Sequence, residues 1–168
     1  MAAKAASPIS VFDWSIAETV LSLEPDSASL GNITAFHTWT GGEYKDANIT
    51  DIGTQTFPNM ELLNHLSPER ILLSPSQTRL GQRLNGIAPI TILESYPYVS
   101  DRSDGFWETL EDFTLEVGTS VNQRANAEQL VSDTQSHLDT LKSNIGLQPP
   151  LLIVQLVTEQ YARVYGSN

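Results

Sequence analysis

DIGTQTFPNMELLNHLSPERILLSPSQ, residues 51–77, is the stretch that decides the fold. Asp51-Ile52-Gly53 ends a strand, and Gly53 permits backbone angles that other residues resist. Residues 54–57 are a polar loop with one aromatic, Phe57. Pro58-Asn59 starts a helix: proline fixes φ, and an asparagine cap accepts a bond from an orphan backbone N–H. Met60, Leu63 and Leu66 recur at helical spacing with Leu62 beside them. Glu61 stands in the first turn, where the helix dipole favours an anion. Ser67-Pro68 ends the helix. Ile71-Leu72-Leu73 is a short apolar run, the pattern of a parallel strand covered on both faces. Ser74-Pro75-Ser76-Gln77 follows its carboxyl end, the edge where open α/β sheets bind ligands. The loops 54–57 and 75–77 are therefore expected on one rim.

Working outward, residues 9–12 form a short strand candidate. Asp13 then caps a helix with Ile16, Val20 and Leu23 on one face and Glu18 near its start, and Pro25-Asp26-Ser27 closes it. Residues 30–36 are expected as the second strand and residues 37–48, polar and aromatic, as an exposed loop. Residues 79–85 read as a short helix bearing Leu80 and Leu84. Residues 88–93 read as another buried strand, and residues 94–104 as a loop rich in Tyr, Pro and Ser. Phe106, Leu110, Phe113 and Val117 define a helix face, with a break expected at 118–122. Arg124–Ile145 reads as one unusually long helix, about 33 Å at 1.5 Å per residue, carrying Ala127, Leu130, Thr134, Leu138, Leu141 and Ile145 on one side and stopped by Gly146. Pro149-Pro150 then introduces a strand over 151–157, with 161–165 as its hairpin partner. Alternating strands and helices imply a Rossmann-like α/β lobe with a parallel sheet, joined by the long helix to the start of a second α/β lobe. We expect the lobe at 1–122, the helix at 123–146 and an incomplete second lobe at 147–168, truncated just after its sheet begins.

The totals exclude several classes. Of 168 residues, 40% are hydrophobic, enough for a core. Twenty acidic against nine basic residues give a charge of −11, which opposes nucleic-acid binding and docking on anionic lipid. With no cysteine there is no disulfide framework, thiolate metal site or thiol nucleophile. No run approaches the roughly 20 apolar residues of a membrane span. Residues 1–7 are too short and too weakly apolar for a signal peptide, so any export signal is expected to have been removed or never present. There is no phosphate loop, nucleophile elbow or H-E-x-x-H motif. His37, His65 and His137 are scattered, and Glu108, Glu111, Asp112 and Glu116 are spaced as a solvated helix face. Neither catalytic residues nor metal ligands are expected.

Residues 13–21 (DWSIAETVL), Asp51-Ile52-Gly53, residues 58–63 (PNMELL), Leu66-Ser67-Pro68, Ile87-Ala88-Pro89, residues 150–156 (PLLIVQL) and Val164-Tyr165-Gly166 together resemble the periplasmic ferric-siderophore-binding proteins of the FhuD type. The likeness runs from Val11 to Asn168. It implies a class III periplasmic-binding-protein fold, two α/β lobes on one long helix with a siderophore clamped between them. It also implies an ABC-transporter permease as partner, a periplasmic location, no cofactor, and iron held by the siderophore rather than by the protein. Under the resemblance Trp39 falls where the family sets a tryptophan against the siderophore; the ordinary alternative is a packing tryptophan. Gln55 falls where hydroxamate binders carry an arginine, and Gln77 where they carry a tyrosine, so the siderophore class is open. Arg79 offers a replacement charge. Glu43 lies within one residue of an acidic position that docks on the permease. Phe57 and Tyr44, with Tyr96 and Tyr98, lie in loops within reach of a cleft. The same fold carrying haem, a corrinoid or another chelate is the nearest alternative. An α/β enzyme lobe is the more distant one, and it lacks a nucleophile–base pair.

Overall fold

The structure, a computed structural model, describes residues 9–23, 28–94, 105–145, 153–158 and 160–165. β1 (Ile9–Val11), β2 (Ala28–Leu30), β3 (Ile49–Asp51), β4 (Arg70–Leu73) and β5 (Ile90–Ile92) form one parallel sheet in the order β3-β2-β1-β4-β5. The order reverses between β1 and β4, which pair in register from Ile9 opposite Arg70 to Val11 opposite Leu72. Chain connections leave this point in opposite directions, so a crevice opens above the carboxyl ends of these two strands.

Alternation along the central strands divides the core between the two faces. Val11, Leu30 and Leu72 pack with α1 (Trp14–Ser22), α2 (Ile33–Trp39) and α5 (Phe106–Ser120). Phe12, Ile52, Ile71 and Leu73 pack with α3 (Met60–Leu66) and α4 (Thr78–Leu84). Ile71, Leu72 and Leu73 are all fully buried, as the apolar run predicts; each such side chain contributes about 1.5–3 kcal/mol when removed from water. The caps match too. Asp13 Oδ1 accepts from the Ser15 and Ile16 N–H groups at the head of α1. Asn59 Oδ1 accepts from Leu62 N–H at the head of α3.

Five expectations need correction. Residues 30–36 are not a strand: β2 ends at Leu30, and Asn32, at φ 59°, caps α2 by accepting from Ala35 N–H. A left-handed cap turned the chain where a strand reading carried it on. The supposed exposed loop 37–48 accordingly begins as helix through Trp39, and only the turns after it are loop. β5 is shorter than residues 88–93 and is an edge strand, so Ile92 is 48% exposed rather than buried on both faces. In α5 the buried face starts at Thr109 and continues through Phe113 and Val117, while Phe106, one turn earlier, is 55% exposed. The break also comes later than 118–122 implied, since α5 continues through Ser120. The loop 95–104, Pro25-Asp26-Ser27, Gly146 and Pro149-Pro150 lie outside the described residues.

α6 (Arg124–Ile145) has the bounds expected of it. Asn122, at φ 59°, turns the chain from α5 into α6, and Gln123 N–H donates to Gly118 O at 2.7 Å. Asn126 Nδ2 donates to Leu23 O, tying the start of α6 to the end of α1. Along the expected apolar stripe Ala127 is buried, Leu130, Thr134 and Leu138 are half-buried, and Leu141 and Ile145 are exposed. The chain divides into two compact units, Met1–Ser132 and Asp133–Asn168, with the division inside α6. The second unit adds an antiparallel hairpin, β6 (Ile153–Thr158) and β7 (Tyr161–Tyr165), on which Leu156, Tyr161 and Val164 are exposed. Among the described residues no helix is long and apolar enough to cross a membrane.

The α5–α6 corner makes a direct prediction. A Cβ on Gly118 would collide with the Cβ of Ala127 and crowd the Gln123 carbonyl oxygen at 3.1 Å. Gly118→Val is expected to destabilise the fold by about 2 kcal/mol through overpacking, read as a lower urea midpoint. An unchanged midpoint would show that the corner can open at no cost.

Candidate functional site

The rim above the parallel sheet is built by short-range bonds. Gly31 lies so close to the neighbouring loop that a Cβ on it would meet Gln55 N at 3.0 Å and Thr54 C at 3.1 Å. Gly53 adopts φ 95°, in the region that favours glycine. Its N–H donates to Asp51 Oδ1 at 2.8 Å, while Asp51 Oδ2 accepts from Ile33 N–H at 3.3 Å. Asn32 N–H donates to Gly53 O at 2.6 Å, and Trp14 Nε1 to Gly31 O at 3.1 Å. Thr54 Oγ1 accepts from Phe57 N–H at 3.0 Å and donates to Phe57 O at 3.3 Å. That closed turn holds Phe57 outward, 77% exposed.

On the other side of the crevice β4 runs into a single 3-10 turn, Pro75–Gln77, and then α4. Gln77 is the link. Its Oε1 accepts from Ser74 N–H at 3.1 Å, and its Nε2 donates to Phe12 O at 2.8 Å. One side chain therefore spans the two strands between which the sheet order reverses.

Loops 54–57 and 75–77 do open on one rim, around a groove of ≈ 510 Å³. Gln55, Phe57, Gln77 and Arg79 line it, joined by Thr56, Ser76, Leu80 and Arg83. Arg83 escaped the sequence reading, although it follows Arg79 at helical spacing. Gln55 is half-buried and has no hydrogen-bond partner among the described residues, leaving its amide available.

Trp39, Tyr44 and Glu43 lie apart from this groove. Trp39 packs at 6.0 Å from the ring of Trp14 and 6.1 Å from Phe36, with 48% exposure. Tyr44 stacks on Phe36 at 6.0 Å, and its hydroxyl bonds Ser22 Oγ at 2.8 Å. Glu43 is exposed on the turn between them. Burial, then the charge of Glu43, pushes the Glu18 carboxyl above its ordinary range. Burial also raises the Tyr44 phenol, against the Ser22 hydrogen bond and with the help of Glu43 and Glu18. A second recess, of ≈ 310 Å³, is lined by Glu94, Asp112 and Glu116 beside Phe113 and Ile92. Among the described residues no group of acids and histidines is arranged to hold a metal ion.

The sequence model of the family described as "Periplasmic binding protein" matches residues 9–168. The chain belongs to that family. Solved structures share its fold. FhuD from Vibrio cholerae, bound to Fe3+-Desferal, superposes with a TM-score of 0.75 at 23% identity, over 95% of this chain and 60% of that one. BauB, bound to ferric iron with two molecules of acinetobactin, gives 0.63 at 22%, over 98% and 57%. The petrobactin-binding protein YclQ from Bacillus subtilis gives 0.64 at 16%, over 97% and 55%. The chain thus spans somewhat more than half the length of these three proteins.

Two predictions follow from the geometry of this family member. Gln77→Ala removes two hydrogen bonds, one of them across the crevice, and is expected to cost about 1–3 kcal/mol. A urea midpoint equal to the parent's would mean that water replaces both bonds. The second concerns Glu18. A carboxyl whose pKa is higher folded than unfolded holds its proton more tightly in the fold, and the advantage is lost as pH rises through the raised value. Relative to the parent, Glu18→Gln should therefore gain stability on passing from below pH ~4 to pH ~6, the carboxylate range. A pH-independent difference in urea midpoints would rule this out.

Proposed function

We propose that this chain is part of a substrate-binding protein that captures a ferric siderophore in the periplasm and delivers it to an ABC-transporter permease. The observation that carries this reading is the groove at the reversal of strand order, in a chain of the periplasmic binding protein family. Ligands of open α/β sheets bind at such a crevice. Its lining supplies an exposed aromatic face, amides and guanidinium groups, which suit a bulky, oxygen-rich chelate. Capture needs no covalent step: the siderophore holds the iron, and the protein contributes shape, hydrogen bonds and charge. The structures of FhuD and BauB with ferric chelates support the same cargo. In this reading Trp39 and Tyr44, which lie apart from the groove, belong to an aromatic cluster with Trp14 and buried Phe36, Glu43 is the permease-docking acid, and α6 is the link to a second lobe.

Titrating the chain with a panel of ferric siderophores tests the proposal. Saturable quenching of tryptophan emission is expected, since a ferric chelate that absorbs in the emission band quenches by energy transfer without touching the indole. The iron-free siderophores should quench far less. If no chelate in the panel, hydroxamate, catecholate or carboxylate, gives either quenching or calorimetric heat, the proposal fails.

A further inference from the structure

α4 sets Arg79 and Arg83 four residues apart, on one face of a two-turn helix, while Leu80 and Leu84 enter the core. Both arginines line the groove. Like charges at this spacing oppose helix formation, and neither arginine has an acidic partner among the described residues. Of the other described cations, Arg124 pairs with Glu128, Lys142 with Asp139, and Arg70 with the Thr91 hydroxyl, while Lys45 and Arg163, which line no part of the groove, have no acidic partner either. No aspartate or glutamate lines the groove. In a chain of net charge −11, this concavity is a local field of the opposite sign. Of the remaining polar groups, the Gln77 amide is engaged at both ends.

We propose that the groove selects an iron chelate that carries net negative charge on catecholate or carboxylate oxygens. Arg79 and Arg83 bond those oxygens, and Phe57 lies against the flat part of the ligand. The inference rests on the ferric-siderophore reading above and adds the charge class. Singly charged hydroxamates balance the ferric ion and leave its inner shell neutral. Doubly charged catecholates, or carboxylates in excess, leave a net negative complex. A guanidinium fork donates two parallel hydrogen bonds to such paired oxygens, and Phe57 offers an apolar face to an aromatic ring.

Calorimetry with two probes tests this, a ferric tris-catecholate and the ferric Desferal complex, on the 168-residue chain. The tris-catecholate is expected to bind at least about tenfold more tightly. R79Q/R83Q should weaken it by about tenfold to a hundredfold and change Desferal binding by less than about twofold. Lys45→Gln, outside the groove, should change neither. In the unmodified chain, added salt should weaken the tris-catecholate selectively. Equal affinities, tighter Desferal binding, equal loss of both probes in R79Q/R83Q, or a salt-independent tris-catecholate affinity would each overturn charge selection while leaving chelate capture in place. Binding of neither probe would also overturn charge selection, and chelate capture is then decided by the full panel, carboxylates included.

Discussion

The two hydrogen bonds of Gln77 tie the site to the sheet. A parallel sheet whose order reverses leaves its two central strands without a covering connection at their carboxyl ends. The backbone groups there still need partners, because unpaired polar groups in a half-buried position are costly. Gln77 meets that need from both sides at once, accepting from Ser74 N–H and donating to Phe12 O. The 3-10 turn that carries it also sets the start of α4, and with it the placement of Arg79 and Arg83. The reversal that opens a crevice thus also orients the helix that lines it. Gln77 was singled out as a residue facing ligand; its observed bonds make it first a brace for the rim.

The fold was legible wherever burial wrote a pattern into consecutive residues. The run at 71–73, the capped amphipathic turns of α3 and the length of α6 needed no tertiary information. Where a single backbone angle decided the outcome, the pattern misled. Asn32 at φ 59° converts an apparent strand into strand, turn and helix, and Gly31 beside it is small because the 53–55 loop passes close by, not because the segment is loop. Register is equally invisible in a linear chain. Ser10 and Ser29, 19 residues apart in sequence, lie opposite each other on β1 and β2, fully buried, with their hydroxyls 2.7 Å apart. Among the candidate site residues, Gln55, Phe57, Gln77 and Arg79 share a groove because the segments after β3 and β4 both leave the carboxyl edge of one parallel sheet. Trp39 and Tyr44 went elsewhere because α2 was unforeseen: once the segment is helical, Phe36 and Trp39 fall on one face, toward Trp14.

Charge is distributed with the same economy. The acidic excess is carried on exposed helix faces and turns, and it is tolerated at some expense where Glu18 and Glu43 approach each other beside Tyr44. Neither carboxylate has a cation partner there among the described residues. Their repulsion is small at a position open to solvent. The groove is the reverse case, two guanidinium groups without acids. Both are local departures from electrostatic balance that folding alone does not require, and both sit on surface formed by the segments that follow the carboxyl ends of the strands.

The rim separates into a frame and its tips. The frame is backbone held by hydrogen bonds, most of them from side chains: Asp51 to Gly53, Asn32 to Gly53, Thr54 to Phe57, and Gln77 to both Ser74 and Phe12. Each bond closes a short loop or joins two strand ends, so the positions from which side chains project are held before any ligand arrives. Preorganisation of that kind reduces the ordering cost of binding. The tips are Gln55, Phe57, Arg79 and Arg83, none of which is needed to hold the frame. On the proposed function, a substitution at a tip changes which chelate is favoured without loosening the sheet. A substitution at Gly31, Gly53 or Gln77 alters the frame and displaces every tip together. Under the proposed function, discrimination between ligands falls to residues that fold stability leaves free to vary, and this accounts for a rim whose frame is recognisable in sequence while its chemistry must be read from the groove.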